Sequence, residues 1–298
     1  MAEFLEGDYK RVVDGAVPTR FLPGSSIEIV REVRAARPPR HALFDFDGTL
    51  SLIREGWPEV MVPMMVEVLR QTGTGESPGG LHDLAMGFVM QLNGKQTIYQ
   101  MIRLAEEVEK RGGTPLDPPR YKEMYHERLM DRIRSRREDL RAGRARPEEM
   151  LVPGTVDLLG ALQQRGVRLY LASGTDEVYV KEEASLLGLD RFFGGRSYGA
   201  VSDYASFSKA HVIRRILEEN RVEGEALIGF GDGYVEIENI KSVGGIAVAV
   251  ASDEAGRSGK PDAWKRDRLI GVGADAVIPD FREHGRIVAY FWNGEGRA

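Results

Sequence analysis

Two aspartates at alternate positions, Asp45 and Asp47, are the residues of this chain whose spacing most plainly suits chemistry. They end the apolar, strand-like run that begins at His41, and a Gly48-Thr49 turn follows at once. Side chains at positions i and i+2 of a strand point to the same side, so both carboxylates would face one site. Two close acids resist joint ionisation unless a cation lies between them or one is protonated. The pair therefore suits metal-assisted phosphoryl chemistry, with a solvated Asp-x-Asp turn as the alternative.

Apolar strands alternate with helices in most of the chain, and polar residues follow several of the strands. Strands are predicted at 167–172, 226–230, 245–250 and 274–279, with helices between them. This alternation predicts a parallel sheet covered on both faces. Ligands of such sheets bind outside the carboxyl ends of the strands. Ser173 and Asp232 follow two of these strands directly, so they should meet Asp45 and Asp47 at one edge.

Four motifs in a fixed order carry a family resemblance: Asp45-Phe46-Asp47-Gly48-Thr49, Ser173 after a strand, Lys209 at a helix start, and Gly231-Asp232-Gly233 with Glu236. The set resembles the haloacid dehalogenase (HAD) superfamily over about residues 41–280. The resemblance implies an α/β fold with a Rossmann-like three-layer core, a parallel sheet and an inserted α-helical cap of the C1 type. The core would comprise residues 41–50 and 151–298, and the cap residues 51–150.

The predicted cap is a block without strands. Helices are predicted from about 60–70, 81–91, 97–110 and 119–141, with a loop dense in Gly and Pro at 71–80. Only about 30 residues separate Ser173 from Lys209, which leaves little room for a cap at the later insertion point. Residues 1–40 are interpreted as an extension that docks on the core. Within them, Ser25-Ser26 predicts the start of a helix that runs to about Arg37.

The resemblance assigns a role to each motif residue. Asp45 would be the nucleophile that attacks phosphorus and forms an aspartyl-phosphate. Asp47 would be the general acid for the leaving oxygen and then the base for the attacking water. Ser173 and Lys209 would bind oxygens of the phosphoryl group, since a hydroxyl and an ammonium both suit an anion.

The implied cofactor is Mg²⁺, a hard cation that takes few carboxylates and keeps waters. Its ligands would be Asp45, Asp232 and Asp47, the last through its backbone carbonyl. Glu236 stands where the family more often has Asp. Its longer side chain could bind the metal directly, bind it through water, or pair with Lys209.

Substrate contacts are predicted next to the motifs and in the cap. Thr49 and Gly174 adjoin the phosphoryl-binding residues, and Arg54 and Trp57 follow the nucleophile where the family has a flexible flap. Arg54 and Trp57 could therefore meet the leaving group, with packing under the cap as an equal alternative for Trp57. The turn at 93–96 could reach inward, although a surface loop is the favoured interpretation.

Composition excludes several classes of function. The chain has no cysteine and a formal net charge of −5, so it has no thiolate site and no global attraction to nucleic acid. We find no signal peptide and no apolar run long enough for a bilayer, so the expected location is the cytoplasm without membrane partners. Arginines concentrated at 128–146 alternate with acids, which indicates a solvated, ion-paired helix face, with an anionic-substrate funnel as the alternative.

Together these patterns predict a Mg²⁺-dependent phosphatase, a phosphoric monoester hydrolase. Its substrate would be a small phosphorylated metabolite such as a sugar phosphate. A phosphomutase of the same superfamily is the first alternative, because it shares the first half-reaction. A HAD-like binding module without turnover is the second. The sequence indicates no oligomeric state.

Overall fold

A single sheet of eight strands organises the protein. The computed structural model describes residues 8–13, 17–33, 37–201 and 207–296. The strands are β1 Arg20–Phe21, β2 Glu28–Ile29, β3 His41–Phe44, β4 Arg168–Asp176, β5 Ser197–Ala200, β6 Leu227–Gly231, β7 Ile246–Val250 and β8 Ala276–Ile278. Their order is β1-β2-β8-β7-β6-β3-β4-β5. Strands β3 to β8 pair in parallel, and β1 and β2 extend one edge antiparallel. The predicted α/β fold with a mainly parallel sheet is confirmed.

Helices follow most strands and also fill the insertion after β3. The cap helices are α1 Pro58–Arg70, α2 Pro78–Gln91, α3 Thr97–Lys110 and α4 Pro118–Arg141. The core helices are α5 Thr155–Gln164, α6 Glu177–Leu186, α7 Asp190–Phe193, α8 Lys209–Asn220, α9 Tyr234–Ser242, α10 Ala263–Gly271 and α11 His284–Val288. Short 3₁₀ turns lie at Pro147–Met150 and Gly224–Ala226, and a π turn lies at Ala289–Asn293. Among the described helices, none has both the length and the apolar character needed to cross a membrane.

Strand β3 lies inside the sheet, between β6 and β4, and is buried along its whole length. Phe44 pairs with Leu171 of β4 on one side and with Phe230 of β6 on the other. The ring of Phe44 stacks on that of Phe230 with centroids 4.8 Å apart. Because successive side chains alternate between faces, Leu43 packs into the apolar cluster on the opposite face. Asp45 and Asp232 therefore follow β3 and β6 at one edge of the sheet. Ser173 lies at the same edge but inside β4, because this strand continues to Asp176 and does not end at 172 as predicted.

The four cap helices lie close to where the spacing of apolar residues predicts them, and α3 has the predicted bounds. Their inward faces bury apolar side chains such as Met65 of α1, Leu104 of α3 and Ile133 of α4. Pro63 lies inside α1 without ending the helix. The insertion is thus a helical layer whose buried apolar side chains belong to the same cluster as those on one face of the sheet.

The arginines of α4 form ion pairs on a largely exposed face, as predicted. Arg128 binds Glu67 at 2.7 Å, Arg132 binds Glu59 at 2.8 Å and Arg136 binds Glu55 at 2.9 Å. Exposed pairs contribute only about 0–1 kcal/mol each to stability. These pairs mainly hold α4 in position, since they join it to α1 and to Glu55 in the segment that precedes α1.

The helix predicted after Ser25-Ser26 is wrong for the described residues. Strand β2 occupies Glu28–Ile29 and pairs antiparallel with β8, while residues 34–36 lie outside the described ranges. Ser26 Oγ donates to Glu283 Oε1 at 2.6 Å instead of capping a helix. Glu28 is buried and accepts a hydrogen bond from Arg266 Nε at 2.6 Å. Pairing with the sheet edge has overridden the local helical pattern.

Candidate active site

A cavity of about 90 Å³ lies between the carboxyl edge of the sheet and the cap. Both halves of the protein contribute to its wall. The core residues are Asp45, Asp47, Gly48, Ser173, Gly174, Thr175, Lys209, Asp232 and Glu254. The cap side supplies Arg54, Trp57, Met61, Asn93, Gly94, Lys95, Thr97, Gln100 and Tyr125.

Asp45 follows β3 and lies at the base of the cavity beside Lys209. Its Oδ1 accepts a hydrogen bond from Lys209 Nζ at 2.8 Å. Lys209 is the first residue of α8, which Ser208 caps by accepting from the amide of His211. Burial, partly offset by Lys209, raises the pKa of Asp45 to about 7, and the neighbouring Asp232 adds to the rise. The cost of charging Asp45 therefore makes a nearby cation important.

Lys209 also forms an ion pair with Glu236, the first-turn acid of α9. Both side chains are 3% exposed, and Glu236 does not line the cavity. Of the three roles that the sequence leaves open for Glu236, the geometry favours the pairing with Lys209. The ammonium is thereby held between Asp45 and Glu236.

Asp47 is held by hydroxyls and faces a guanidinium. Its Oδ2 accepts hydrogen bonds from Thr175 Oγ1 at 2.9 Å and from Ser173 Oγ at 3.3 Å. Its Oδ1 lies 3.7 Å from Arg54 Nε. Burial raises the pKa of Asp47, while Arg54 opposes the rise. A carboxyl that keeps its proton to higher pH is suited to act as a general acid.

Arg54 is fixed by a buried acid of the core. Glu183 in α6 is fully buried and binds Arg54 through two hydrogen bonds of 2.9 and 3.0 Å. This two-point pairing fixes the plane of the guanidinium. Arg54 therefore lies beside Asp47 at the cavity wall. Trp57, three residues later, both lines the cavity and packs against the apolar core, so the two predicted positions are not exclusive.

Asp232 follows β6 and is held close to the nucleophile loop. Its amide donates to Thr49 Oγ1 at 3.0 Å, and Thr49 is fully buried. A Cβ at Gly48 would stand 2.3 Å from Asp232 Oδ2, so only glycine allows this approach. Thr49 does not line the cavity, and we assign it to holding Asp232 in place of the substrate contact predicted from sequence.

Three glycines let the cap loop at 93–96 lie directly on the core. A Cβ at Gly94, where φ is +102°, would stand 3.1 Å from the Cα of Gly233. A Cβ at Gly174 would stand 2.9 Å from the carbonyl oxygen of Lys95. Gln96 Nε2 donates to the carbonyl of Phe207 at 2.8 Å. The loop is therefore a wall of the cavity, and the surface position favoured from sequence is wrong.

Because the cap loop contacts the core at Gly94, we expect Gly94→Val to disturb the cavity. The added side chain has no room against Gly233 and requires an unfavourable positive φ. We expect kcat/KM for a phosphomonoester to fall by about tenfold or more, and the melting temperature to fall as well, because strain at a positive φ costs about 1–3 kcal/mol. Steady-state kinetics and thermal unfolding measure the two effects. Gly87→Val, at a cap position with open space around it, is the control, and an equal loss there would contradict the assignment.

The N-terminal segment reaches the same loop from outside. Asp8 Oδ1 binds Lys95 Nζ at 2.6 Å, and Tyr9 packs edge-on against Tyr234 with centroids 5.6 Å apart. The guanidinium of Arg268 lies 3.9 Å from the ring centroid of Tyr9. Residues 8 and 9 thus bridge the core and the cap beside the cavity.

Comparison with known sequences identifies the family. The sequence model of haloacid dehalogenase-like hydrolases matches residues 39–244, which is more than half of the chain. The chain belongs to the haloacid dehalogenase-like hydrolases. The helical insertion is consistent with the C1 cap of this family, as the motifs predict. No curated protein sequence gives a significant match.

Several solved structures share the fold at low sequence identity. A hydrolase from Pseudomonas syringae is 15% identical with a TM-score of 0.55, covering 85% of this chain and 99% of its own. A predicted phosphatase from Clostridium acetobutylicum is 17% identical with a TM-score of 0.52, covering 85% and 99%. A predicted phosphoglycolate phosphatase from Haemophilus somnus 129pt is 17% identical with a TM-score of 0.51, covering 84% and 98%. At these identities the likeness shows the HAD fold alone.

The structure brings most of the predicted site residues of this HAD hydrolase to one cavity. Asp45, Asp47, Ser173, Lys209 and Asp232 all line it, together with Gly174, Arg54 and Trp57. Sequence reasoning missed Thr175, Glu183, Glu254, Tyr125 and Lys265, whose ammonium lies 2.9 Å from Asp232 Oδ2. It considered an inward position for the 93–96 loop but favoured the surface. For Glu254 a signal existed, since it follows the strand β7, whose carboxyl end lies at the same edge.

The residues at this edge fit a Mg²⁺ ion by their donor chemistry. The family generally uses Mg²⁺, which prefers carboxylate, carbonyl and water oxygens. Asp232 Oδ2 and Glu254 Oε1 approach the same point beside Gly48. A Cβ added to this glycine would lie 2.3 Å from the first oxygen and 3.0 Å from the second. Among the described residues, no group of three acids or histidines forms a ready-made metal cluster. Mg²⁺ does not require one, because it binds through one or two carboxylates and several waters.

Proposed function

We propose that this HAD hydrolase is a Mg²⁺-dependent phosphatase that hydrolyses a small phosphomonoester through an aspartyl-phosphate. The observation that carries the proposal is the placement of Asp45 and Asp47 at one cavity with different partners. Asp45 adjoins the ammonium of Lys209, and Asp47 adjoins two hydroxyls and Arg54. Two carboxyls in different environments are suited to different chemical roles.

Asp45 is the proposed nucleophile. A carboxylate oxygen of Asp45 attacks phosphorus, the bond to the leaving oxygen breaks, and an aspartyl-phosphate forms. Lys209 lies within hydrogen-bond distance of Asp45 and can neutralise charge on the phosphoryl oxygens. The hydroxyl of Ser173 lies at the same wall, and its one proton can turn from Asp47 to a phosphoryl oxygen when the substrate binds.

Asp47 is the proposed general acid and base. In the first step it gives its proton to the leaving oxygen, and the alcohol departs. In the second step it takes a proton from water, whose oxygen attacks phosphorus and releases Asp45 and inorganic phosphate. Arg54 and Thr175 orient Asp47 for both transfers. The cap loop on Gly174 and Gly233 would exclude bulk water during the first step.

The metal would be held by Asp45, Asp232 and the backbone carbonyl of Asp47. When bound, Mg²⁺ supplies positive charge that keeps Asp45 ionised and offsets charge on the phosphoryl group. Glu236 is not needed as a ligand, because it pairs with Lys209.

The proposed substrate is small. The cavity lies between the cap and the core, and a cap that closes over the site favours a small substrate. Arg54 and Lys95 are the cap cations at the wall, and each is already paired with an acid. Asn93, Thr97 and Gln100 offer neutral hydrogen-bonding groups, which suits a hydroxylated leaving group such as a sugar or polyol.

Phosphate release from a panel of phosphorylated metabolites with Mg²⁺ tests the proposal. A phosphatase releases phosphate steadily without an activator, whereas a phosphomutase returns the phosphoryl group to a sugar and needs a bisphosphate. Release from sugar or polyol phosphates at rates typical of metabolic enzymes is the expected result. Turnover of none of the panel would contradict the proposal and favour a binding role.

Removal of the metal should stop turnover. We expect EDTA to abolish phosphate release and added Mg²⁺ to restore it, because buried Asp45 is costly to ionise without a neighbouring cation. Ca²⁺ should restore less activity, since it favours a larger and more flexible coordination shell. Activity that is indifferent to exhaustive chelation would remove Mg²⁺ from the mechanism.

A further inference from the structure

Two charged side chains beside Asp232, Glu254 and Lys265, take no part in the steps above. Lys265 Nζ lies 2.9 Å from Asp232 Oδ2, 2.6 Å from Glu254 Oε1 and 3.0 Å from Ser252 Oγ. An ammonium has three protons to donate, so these three partners satisfy it completely. The side chain of Lys265 is only 10% exposed. Its charge is therefore directed at the proposed metal site and not at solvent.

The position of Lys265 is fixed by the start of α10. Asp262 caps this helix by accepting a hydrogen bond from the amide of Lys265 at 2.8 Å. The amide of Asp262 in turn donates to the carbonyl of Ala251, just after β7, at 2.8 Å. This anchoring sets the first turn of α10 against the carboxyl edge of the sheet. Lys265 is thus placed by the fold and not by a flexible surface loop.

Glu254 faces the same point as Asp232. A Cβ at Gly48 would stand 3.0 Å from Glu254 Oε1 and 2.3 Å from Asp232 Oδ2. Gly48 directly follows Asp47, whose backbone carbonyl is a proposed ligand. Ser252 Oγ donates to the carbonyl of Gly48 at 2.6 Å, which ties the loop of Glu254 to this backbone.

Carboxylates outnumber cations at this edge even with Lys265, because Lys209 and Arg54 are each also paired with a further acid, Glu236 and Glu183. Asp45 and Asp47 have Lys209 and Arg54 beside them, whereas Asp232 and Glu254 share Lys265. Four carboxylates exceed the one or two that Mg²⁺ usually takes from a protein. A fixed ammonium on two of them reduces the negative field that an entering divalent cation would meet.

We propose that Lys265 is a built-in counter-cation of the metal site. Its ammonium holds Asp232 and Glu254 in place. The negative charge of Glu254 raises the affinity of the site for Mg²⁺, and the positive charge of Lys265 lowers it. The proposal rests on the Mg²⁺ dependence proposed above. Its functional consequence is a metal that exchanges readily, in a site whose acids stay ordered during exchange.

Calorimetric titration of the full chain with MgCl₂, without substrate, measures this affinity. Lys265→Met keeps the length of the side chain and removes the charge, so Mg²⁺ should bind about tenfold or more tightly. Glu254→Gln keeps the shape and removes a negative charge, so Mg²⁺ should bind about tenfold more weakly. The double variant should return to within about threefold of the wild-type affinity, because the removal of one positive and one negative charge leaves the net charge beside the metal unchanged.

The opposite signs distinguish an electrostatic role from a structural one. If Lys265 only holds Asp232 in place, Lys265→Met should weaken Mg²⁺ binding, and that result would overturn the proposal. Lys260→Met, in the exposed part of the same loop, removes an equal charge and should leave the affinity unchanged. If Lys265→Met does not fold, the double variant should still bind Mg²⁺ more tightly than Glu254→Gln, and equal or weaker binding would reject the proposal.

The titration does not depend on turnover. A chain that binds Mg²⁺ with these shifts and hydrolyses no phosphomonoester would support the role of Lys265 and contradict the phosphatase. A chain that releases phosphate with Mg²⁺, but whose Mg²⁺ affinity does not shift in opposite directions in Lys265→Met and Glu254→Gln, would support the phosphatase and contradict the role of Lys265.

Discussion

Replacing Asp45 by asparagine is expected to reduce phosphate release by at least about 10⁴-fold, because the amide cannot form the acyl-phosphate. Asparagine has nearly the same shape, and Lys209 keeps its pairing with Glu236, so the fold should persist. Steady-state phosphate release on the best substrate of the panel measures the effect. Asp157→Asn, on the exposed first turn of α5, is the matched control and should retain full activity.

The same substitution should stabilise the protein in EDTA. Burial raises the pKa of Asp45 from 3.8 to about 7, so the folded state holds a proton that the unfolded chain has released over this interval. The free energy of unfolding therefore falls progressively as the pH rises from 3.8 to 7, because the folded state must ionise a buried carboxyl. Above pH 7 the full cost of this ionisation applies. We expect the melting temperature of Asp45→Asn to exceed that of the wild type more at about pH 8 than at about pH 5. A normal rate of turnover, or a destabilised variant at about pH 8, would count against Asp45 as a buried nucleophile.

Asp47→Asn should lower the rate of alkyl phosphate hydrolysis by about 10²–10⁴-fold, the usual contribution of a general acid or base. Burial raises the pKa of Asp47, which keeps the proton available for the leaving oxygen. Loss of that proton with rising pH should therefore reduce the first step. Asparagine keeps the contacts to Ser173 and Thr175 within reach but cannot transfer a proton.

The leaving group makes this prediction specific. p-Nitrophenyl phosphate needs little protonation as it departs, so the first step of Asp47→Asn should survive with this substrate. Activation of water should remain slow, and about one equivalent of nitrophenolate per protein should appear in a burst. Stopped-flow absorbance measures the burst. Equal and uniform losses for both substrates, without a burst, would indicate that Asp47 acts on binding and not on proton transfer.

Local pattern was sufficient for much of the fold and for the principal acids. The central strands and the four cap helices follow from the spacing of apolar residues, because periods of about 2 and 3.6 residues are properties of the local chain. Asp45, Ser173 and Asp232 could be placed at one edge because parallel strands present their carboxyl ends together. The segment at 25–33 escaped this reasoning, since β2 forms only by pairing with β8, almost 250 residues away.

The sequence by itself determined which family the chain resembles, that Asp45 and Asp47 share one site, and where the helical insertion lies. Only the tertiary structure decided what surrounds them. Arg54 and Glu183 are 129 residues apart and Lys209 and Asp45 are 164 apart, so no local pattern links these partners. Three further contacts likewise join segments that are distant in the sequence. They are the pairing of Glu236 with Lys209, the pairing of Lys265 with Asp232, and the contact of the cap loop with Gly174 and Gly233. Sequence motifs identify the side chains that carry out the chemistry. The ion pairs around those side chains and the contact of the cap loop with the core depend on packing, which brings together residues that are remote in the sequence.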